Sequence, residues 1–369
     1  MTVICNAKEL YEAIMNVSKA VFEKSTLLVL EGIKIDVKET SIEFTGYDLE
    51  IGIRTEISAK STGVGKFVVN ARLMSDIVKR LDSDEITLEV IDNSQIRVTG
   101  NNAQYTVMFM SAEEFPSLPE KDSTAKCIEI SQPVLKSMIT ETIFAVAQND
   151  TKPVLKGELF EIENNVLKIV AIDGYRLAIR EEMIKSGENT KFVVPAKALN
   201  EISRMLKDND EAGCEIFISK KHVIFEFSGY TFYSRLLEGE FHNYKGSVPE
   251  SGNTEVIIDR KKLITCLERA LVLINERIKS PVRCTFDNSE LSILCITSIG
   301  KISDRISADI SGPMIEIGFN CRFLLDPLKA VDDEKVKLLM NGGNLPMKIV
   351  PVNSDEYTYL VLPVRLKSE

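Results

Sequence analysis

Three stretches decide the reading: FVVNARLMSDIVKRL at 67–81, FVVPAKALNEISRML at 192–206 and IGFNCRFLLDPLKAV at 317–331. They begin at 67, 192 and 317, each 125 residues after the one before. A single spacing kept by three segments marks an internal repeat. In each, a short apolar run leads into a stretch of helical periodicity. Met74, Leu199 and Leu324 are equivalent under the shift, and so are Leu81, Leu206 and Val331. Within a segment the two positions are seven residues apart and fall on one helical face.

Outward from these segments, a second helix opens each unit: NAKELYEAIMNVSKAV from Asn6, SQPVLKSMITETIFAV from Ser131 and DRKKLITCLERALVLI from Asp259. Asn6, Ser131 and Asp259 are residue types that cap helix N-termini, and Glu9 is spaced as a capping-box partner for Asn6. Leu10, Ile14, Val17 and Val21 form the apolar stripe of the first helix, and Leu10, Leu135 and Leu263 line up across the units. Between the helices run alternating, β-branched segments such as GIKIDV, SIEFTGYDLEIGIR, VLKIVAI, VIFEFSG, LSILCI and YTYLVLPV, which predict strands joined by polar turns. Each unit is therefore expected to be α+β, with two helices and roughly eight strands. The turn-rich stretches KDSTAK (121–126) and PESGNTE (249–255) divide the chain into 1–122, 123–251 and 252–369.

A chain of 369 residues is too long for one core, and 44% hydrophobic with 27% charged residues is ordinary for a soluble protein. No apolar run is long enough to cross a membrane as a helix, and MTVICNAKEL lacks the pattern of an export signal, so a cytoplasmic protein is expected. The seven cysteines are scattered, without a CxxC pair, and read as reduced thiols rather than as disulfides or metal ligands.

A net charge of −10 opposes nucleic-acid binding on average. The repeat shows how the charge is distributed. Arg72 maps to Lys197 and Arg322; Lys79 maps to Arg204 and Lys329. All six are basic, and each pair lies nearly opposite the apolar stripe of its helix. A single basic pair is usually just solvated. Six of six at equivalent positions point to a shared anionic partner. Lys8 and Lys19 also fall on one side of the first helix, and Lys136, Lys261 and Arg269 are looser candidates on the other opening helices.

Catalytic patterns are missing. The two histidines, His222 and His242, belong to no nucleophile–base or metal-ligand motif, and GVGK (63–66) and NGGN (341–344) lack the spacing of a phosphate-binding loop. No cofactor motif is present. Asp48 and Asp173 align under the shift, which assigns them a structural role. Two readings compete: a non-catalytic binder of an anionic partner, and a carboxylate- and metal-dependent nuclease. An active site needs one asymmetric constellation, whereas the clearest features here occur three times.

GYDLE (46–50), EEFPSLP (113–119), AIDGYRLA (171–178), FVVPAK (192–197) and LVLPVRL (360–366), set in three α+β units, make the whole chain resemble the bacterial sliding clamp, the beta subunit of DNA polymerase III. The resemblance implies three DNA-clamp domains, each with two helices packed on antiparallel sheets, in a head-to-tail homodimer that closes a ring around duplex DNA. It implies no enzymatic activity and no cofactor. The basic helix faces would line the hole and meet phosphates without reading sequence. Lys24 matches a DNA-contacting arginine of the family, Asn149 sits near a DNA-contacting glutamine, and Val154 departs from a tyrosine.

The same resemblance implies a pocket for short linear motifs of the replicative polymerase, the clamp loader, other polymerases and repair proteins. The matching positions are Leu155, Ile172, Gly174, Tyr175, Arg176, Leu177, Val248, Val361, Leu362, Pro363, Val364, Arg365 and Leu366. From the residues alone these segments read as an ordinary sheet edge and a chain end. Two departures fall on the pocket rim: the family's FPDY loop reads Phe241, His242, Asn243, Tyr244, and Ile278 replaces an aromatic residue. Tyr105, Val272 and Leu273 match the family's dimer interface.

Overall fold

A computed structural model describes residues 1–122, 124–149, 152–185, 188–208, 212–275, 278 and 280–366. The first repeat runs β1 (Thr2–Asn6), α1 (Ala7–Val17), β2 (Gly32–Val37), β3 (Ser41–Tyr47), β4 (Ile51–Ser61), β5 (Gly65–Asn70), α2 (Ala71–Arg80), β6 (Glu85–Val90), β7 (Gln95–Gly100) and β8 (Ala103–Ser111). The second runs β9 (Lys126–Ser131), α3 (Gln132–Thr140), β10 (Gly157–Glu163), β11 (Val166–Ile172), β12 (Arg176–Met183), β13 (Thr190–Pro195), α4 (Ala196–Met205), β14 (Gly213–Ile218), β15 (His222–Phe227) and β16 (Tyr230–Arg235). The third runs β17 (Thr254–Asp259), α5 (Arg260–Leu271), β18 (Val282–Asp287), β19 (Glu290–Thr297), β20 (Gly300–Ser307), β21 (Asp309–Ser311), β22 (Ile315–Phe319), α6 (Cys321–Ala330), β23 (Lys335–Met340), β24 (Met347–Pro351) and β25 (Tyr357–Val361). Every strand pairing among the described residues is antiparallel, as expected of strands joined by short turns.

The repeats share one strand order. The first places β1-β6-β7-β8 together and β5-β2-β3-β4 together; β9-β14-β15-β16 with β13-β10-β11-β12, and β17-β23-β24-β25 with β22-β18-β19-β20, repeat it. Two further pairings join neighbours. The fourth strand of the first repeat, β4, pairs with the eighth of the second, β16, in register from Ile51–Ser234 to Thr55–Tyr230. Likewise β12 pairs with β25, from Arg176–Val361 to Arg180–Tyr357. These junctions are why the compact units do not follow the sequence repeats. One unit comprises 1–133 with 201–236, the other 134–200 with 237–369, so the second repeat is shared between them. A twelve-stranded sheet runs through the first unit; the second holds a nine-stranded and a four-stranded sheet.

The helices begin where their caps place them. Asn6 Oδ1 accepts from the amides of Lys8 and Glu9, and Asp259 Oδ1 accepts from that of Lys262. The return half of a capping box from Glu9 is not formed; Asn6 is itself the last residue of β1, paired with Glu85. All three opening helices stop earlier than their apolar pattern suggests. α1 ends at Val17, where the Ser18 hydroxyl donates to Ile14 O at 2.6 Å, and Val21 lies beyond it in extended backbone. In α3 the Thr142 hydroxyl turns back in the same way, donating to Met138 O at 2.7 Å. Side-chain bonds of this kind compete with the helical ladder.

Leu10, Ile14, Val17, Leu135, Leu263, Met74, Leu199 and Leu324 are all buried, as are Leu81, Leu206 and Val331. Each fully buried aliphatic side chain contributes roughly 1.5–3 kcal/mol. Asp48 and Asp173 do the same job before β4 and β12. Asp48 Oδ1 accepts from the amides of Glu50 and Ile51, and Asp173 Oδ1 from those of Tyr175 and Arg176. The residue each turn encloses, Leu49 or Gly174, has positive φ (68° and 87°).

Candidate functional site

The basic helix faces form as the repeat predicts. In α2, Asn70 Oδ1 accepts from Leu73 N at 2.9 Å and Ala71, Met74, Ile77 and Val78 are buried, which leaves Arg72 and Lys79 exposed. Lys197 and Arg204 on α4 and Arg322 and Lys329 on α6 are exposed as well. Arg204 meets Glu201 at 2.8 Å and Lys329 meets Glu268 of α5 at 2.6 Å. Lys24 is exposed and, with Arg72, Ser18 and Asn70, borders a depression of about 510 Å³ at the N-terminus of α2. Asn149 is exposed.

The looser candidates divide. Lys8 and Lys261 are exposed. Lys19 lies past the end of α1, half-buried, and donates to Asn16 Oδ1 at 3.0 Å; burial holds its amine below the usual lysine value. It therefore does not share a helix face with Lys8, because the helix ends at Val17. Arg269 is engaged by Asp304 of β20, and Lys136 is half-buried.

The proposed partner positions lie in the second unit and separate by depth. Leu177 belongs to a cluster with Val154, Leu159, Val170, Ile179, Val193, Tyr244 and Leu360, against which Leu155, Ile172, Leu237, Phe241 and Val248 pack part-exposed. Strand alternation explains the split: Leu177 and Leu360 face this cluster, whereas their neighbours Ala178 and Val361 face the larger core around α5 and α6. Val361 is fully buried there and offers no surface. Val154 is part of the cluster and 5% exposed, so it is no DNA contact. Gly174 keeps the turn open; a Cβ there would meet nothing within 4 Å.

Tyr175 is 61% exposed. Arg176 is not a surface cation: its Nε donates to Asp173 Oδ2 at 3.0 Å, it is paired with Asp326 of α6, and it lies between the rings of Phe144 and Phe323. The chain then leaves β25. Leu362 N donates to Tyr175 O, Val364 N donates to Gly318 O, and Leu366 covers Gly318. Leu362, Val364 and Arg365 are exposed; Pro363 to Leu366, with Glu316, Gly343 and Asn344, line a depression of about 690 Å³.

Phe241 and Leu237 join the apolar patch although no periodicity marked them. The rim loop is fixed by Tyr244, whose hydroxyl donates to Glu161 Oε2 at 2.7 Å, and by Lys245, which meets Glu161 and Glu163. Burial, and then the Glu161 carboxylate, raise the Tyr244 hydroxyl far above its ordinary value.

Among the described residues, several strands pair along one side only, and two of these are the counterparts of junction strands. Residues 103–108 of β8 pair only with β7, and β20 pairs only with β19. Tyr105 and Met108 are exposed on β8; Val272, 80% exposed, follows α5, and Leu273 lies against Gly300 at the start of β20. No group of three His, Cys, Asp or Glu side chains among the described residues is arranged to hold a metal ion.

Models of the DNA polymerase III beta subunit match the chain along its length: the N-terminal domain at residues 1–119, the central domain at 129–243 and the C-terminal domain at 245–365. The chain belongs to the beta sliding clamp family. It is 33% identical over 359 residues to the beta sliding clamp of Staphylococcus epidermidis, with 94% of each chain covered, and 31% identical to that of Bacillus subtilis, covering 96% of this chain and 97% of the other. The solved Bacillus subtilis DNA polymerase sliding clamp superposes over the full length of both chains with a TM-score of 0.94 at 29% identity. As a sliding clamp the chain has three clamp domains and is a non-catalytic processivity factor. These matches give no support to the nuclease alternative.

Proposed function

We propose that two copies of this chain close head to tail around duplex DNA and tether replication proteins to it, with clamp domains at 1–122, 123–251 and 252–369. The observation that carries the reading is the junction used twice within the chain. A fourth strand meets an eighth strand at β4–β16 and again at β12–β25. One strand of each kind is left over, β20 and the outer part of β8, each with a free edge. The third use of the junction then lies between chains, with Tyr105 on one side and Val272 and Leu273 on the other. A heterologous contact of this kind ends in a closed ring when its rotation closes.

Lys24, Arg72, Lys79, Asn149, Lys197, Arg204, Arg322 and Lys329 meet the DNA. Phosphate contacts made by mobile basic side chains hold a duplex without fixing its register, which permits sliding. The apolar patch of Leu155, Ile172, Leu177 and Val248, with Tyr175 and the chain from Leu362 to Leu366 beside it, takes extended peptides from the replicative polymerase, the clamp loader, other polymerases and repair proteins. No helix among the described residues is long and apolar enough to cross a membrane, and we place the chain with the chromosome in the cytoplasm. The deciding experiment loads the protein with its own clamp loader onto nicked circular DNA and measures retention before and after linearisation. Retention on the circle and loss from the ends supports the ring; equal retention on both overturns it.

A further inference from the structure

Arg176 sits inside the wall of the partner patch rather than on it. Its side chain is 10% exposed, and its guanidinium is engaged by two carboxylates and two rings. Asp173 holds it from its own turn, through the same carboxylate that accepts the Tyr175 and Arg176 amides. Asp326 holds it from α6, 150 residues away in sequence. Its carbon centre is 4.6 Å from the Phe323 ring centroid, and the Tyr175 ring is 5.7 Å from that same ring. The order is thus Phe144, Arg176, Phe323, Tyr175, with the last ring in solvent.

Alternation along β12 gives this stack its consequence. Arg176 and Leu177 project to opposite faces of the strand. Leu177 enters the cluster under the patch, while Arg176 points towards α6. Asp326 is therefore on the far side of β12 from any ligand on the patch. We propose that Asp326 is a positioning residue for partner binding: it holds Arg176 in place through the sheet, and Arg176 fixes where Tyr175 and Leu177 stand. The inference rests on the partner-patch reading above. One guanidinium between two carboxylates leaves no surplus positive charge, so Arg176 does not serve as an anchor for an acidic ligand group.

The test uses the full-length protein and a fluorescein-labelled pentapeptide, Gln-Leu-Ser-Leu-Phe, followed by fluorescence anisotropy. Asp326→Asn keeps the side-chain shape and removes the charge. It should weaken binding on the order of three- to tenfold, the range for coupled neighbours in one network. Arg176→Met should do the same, and the double variant should be no weaker than Arg176→Met alone, since Asp326 acts only through Arg176. Asp326→Glu should bind within about twofold of the parent, with the coupling range of neighbouring residues as yardstick. Thermal melts verify that each variant is folded, and Asp326→Ser carries the comparison if Asp326→Asn does not fold. Leu177→Asp separates the two levels of the argument. If it abolishes binding while Asp326→Asn and Arg176→Met bind as the parent does, the positioning role is overturned. Additive losses in the double variant overturn it too. If Leu177→Asp binds normally, the patch reading falls and takes the proposal with it.

Discussion

Glu158 on β10 is fully buried, where the shift by 125 puts the equally buried Ile33 in the first repeat. Its Oε1 lies 2.8 Å from Thr142 Oγ1, and its Oε2 is buried without a hydrogen-bond partner. Burial raises its carboxyl well above the ordinary value, with the Thr142 contact only partly opposing. The folded chain therefore keeps a proton that the unfolded chain releases. Below the unfolded value of 4.5 both states hold it and Glu158 costs nothing. Above that value stability falls as pH rises, by up to about 1.4 kcal/mol per pH unit for one proton, and levels off once pH passes the folded value.

The perturbation is Glu158→Gln, which cannot ionise. Its melting temperature relative to the parent should climb by roughly 3–5 °C per pH unit above pH 5.5, taking about 2–4 °C per kcal/mol for a unit of this size. Melting both proteins by calorimetry at pH 5.5, 6.5 and 7.5 measures the difference directly and cancels every other titrating group. Parallel pH profiles for the two proteins would refute the reasoning, because they would mean that Glu158 ionises alike in both states.

Four further outcomes are expected. Reversing Arg72, Lys79, Lys197 and Arg204 to glutamate should weaken DNA association at low salt and flatten its salt dependence by up to about 0.9 per lost phosphate contact; an unchanged slope excludes these faces. Tyr105→Asp combined with Val272→Asp should convert a dimer into 41.3 kDa monomers by light scattering, and a persistent dimer moves the interface elsewhere. Removing Pro363 to Glu369 should abolish binding of the labelled pentapeptide and spare the dimer mass; Pro363 to Leu366 carry the effect, while Lys367 to Glu369 lie outside the described residues. Of the seven thiols only Cys127 is exposed, so the native protein should react with one equivalent of a thiol reagent before unfolding, and two or more rapid equivalents would contradict the burial of the rest.

The period of 125 made the repeats, the two helices of each and the six basic positions readable, because local periodicity and a shift are both visible along one chain. Helix ends were less readable. Ser18 and Thr142 stop α1 and α3 by bonding back to Ile14 and Met138, and nothing in the apolar pattern of Val21 or Val146 signals it. The partner patch depended on resemblance. Val361 and Leu362 look alike in sequence, yet one is fully buried and the other exposed. Nothing along the chain pairs Arg176 with Asp326, 150 residues away. Leu237 and Phe241 carry no periodic mark. Pairings between distant segments, such as β4 with β16, leave no trace in either strand's own pattern.

Those pairings leave the middle repeat without autonomy. Expressed alone, residues 123–251 would present β12 and β16 as raw edges, each with a row of unmatched amides and carbonyls. Such rows recruit strands from other molecules indiscriminately and seed aggregates. The complete chain quiets both of these edges internally, and the same hazard persists at strands paired on one side, β8 and β20 among them. A partner chain that covered β8 and β20 would also protect solubility: before gathering any DNA, a closed pair would offer fewer edges on which fibres could grow.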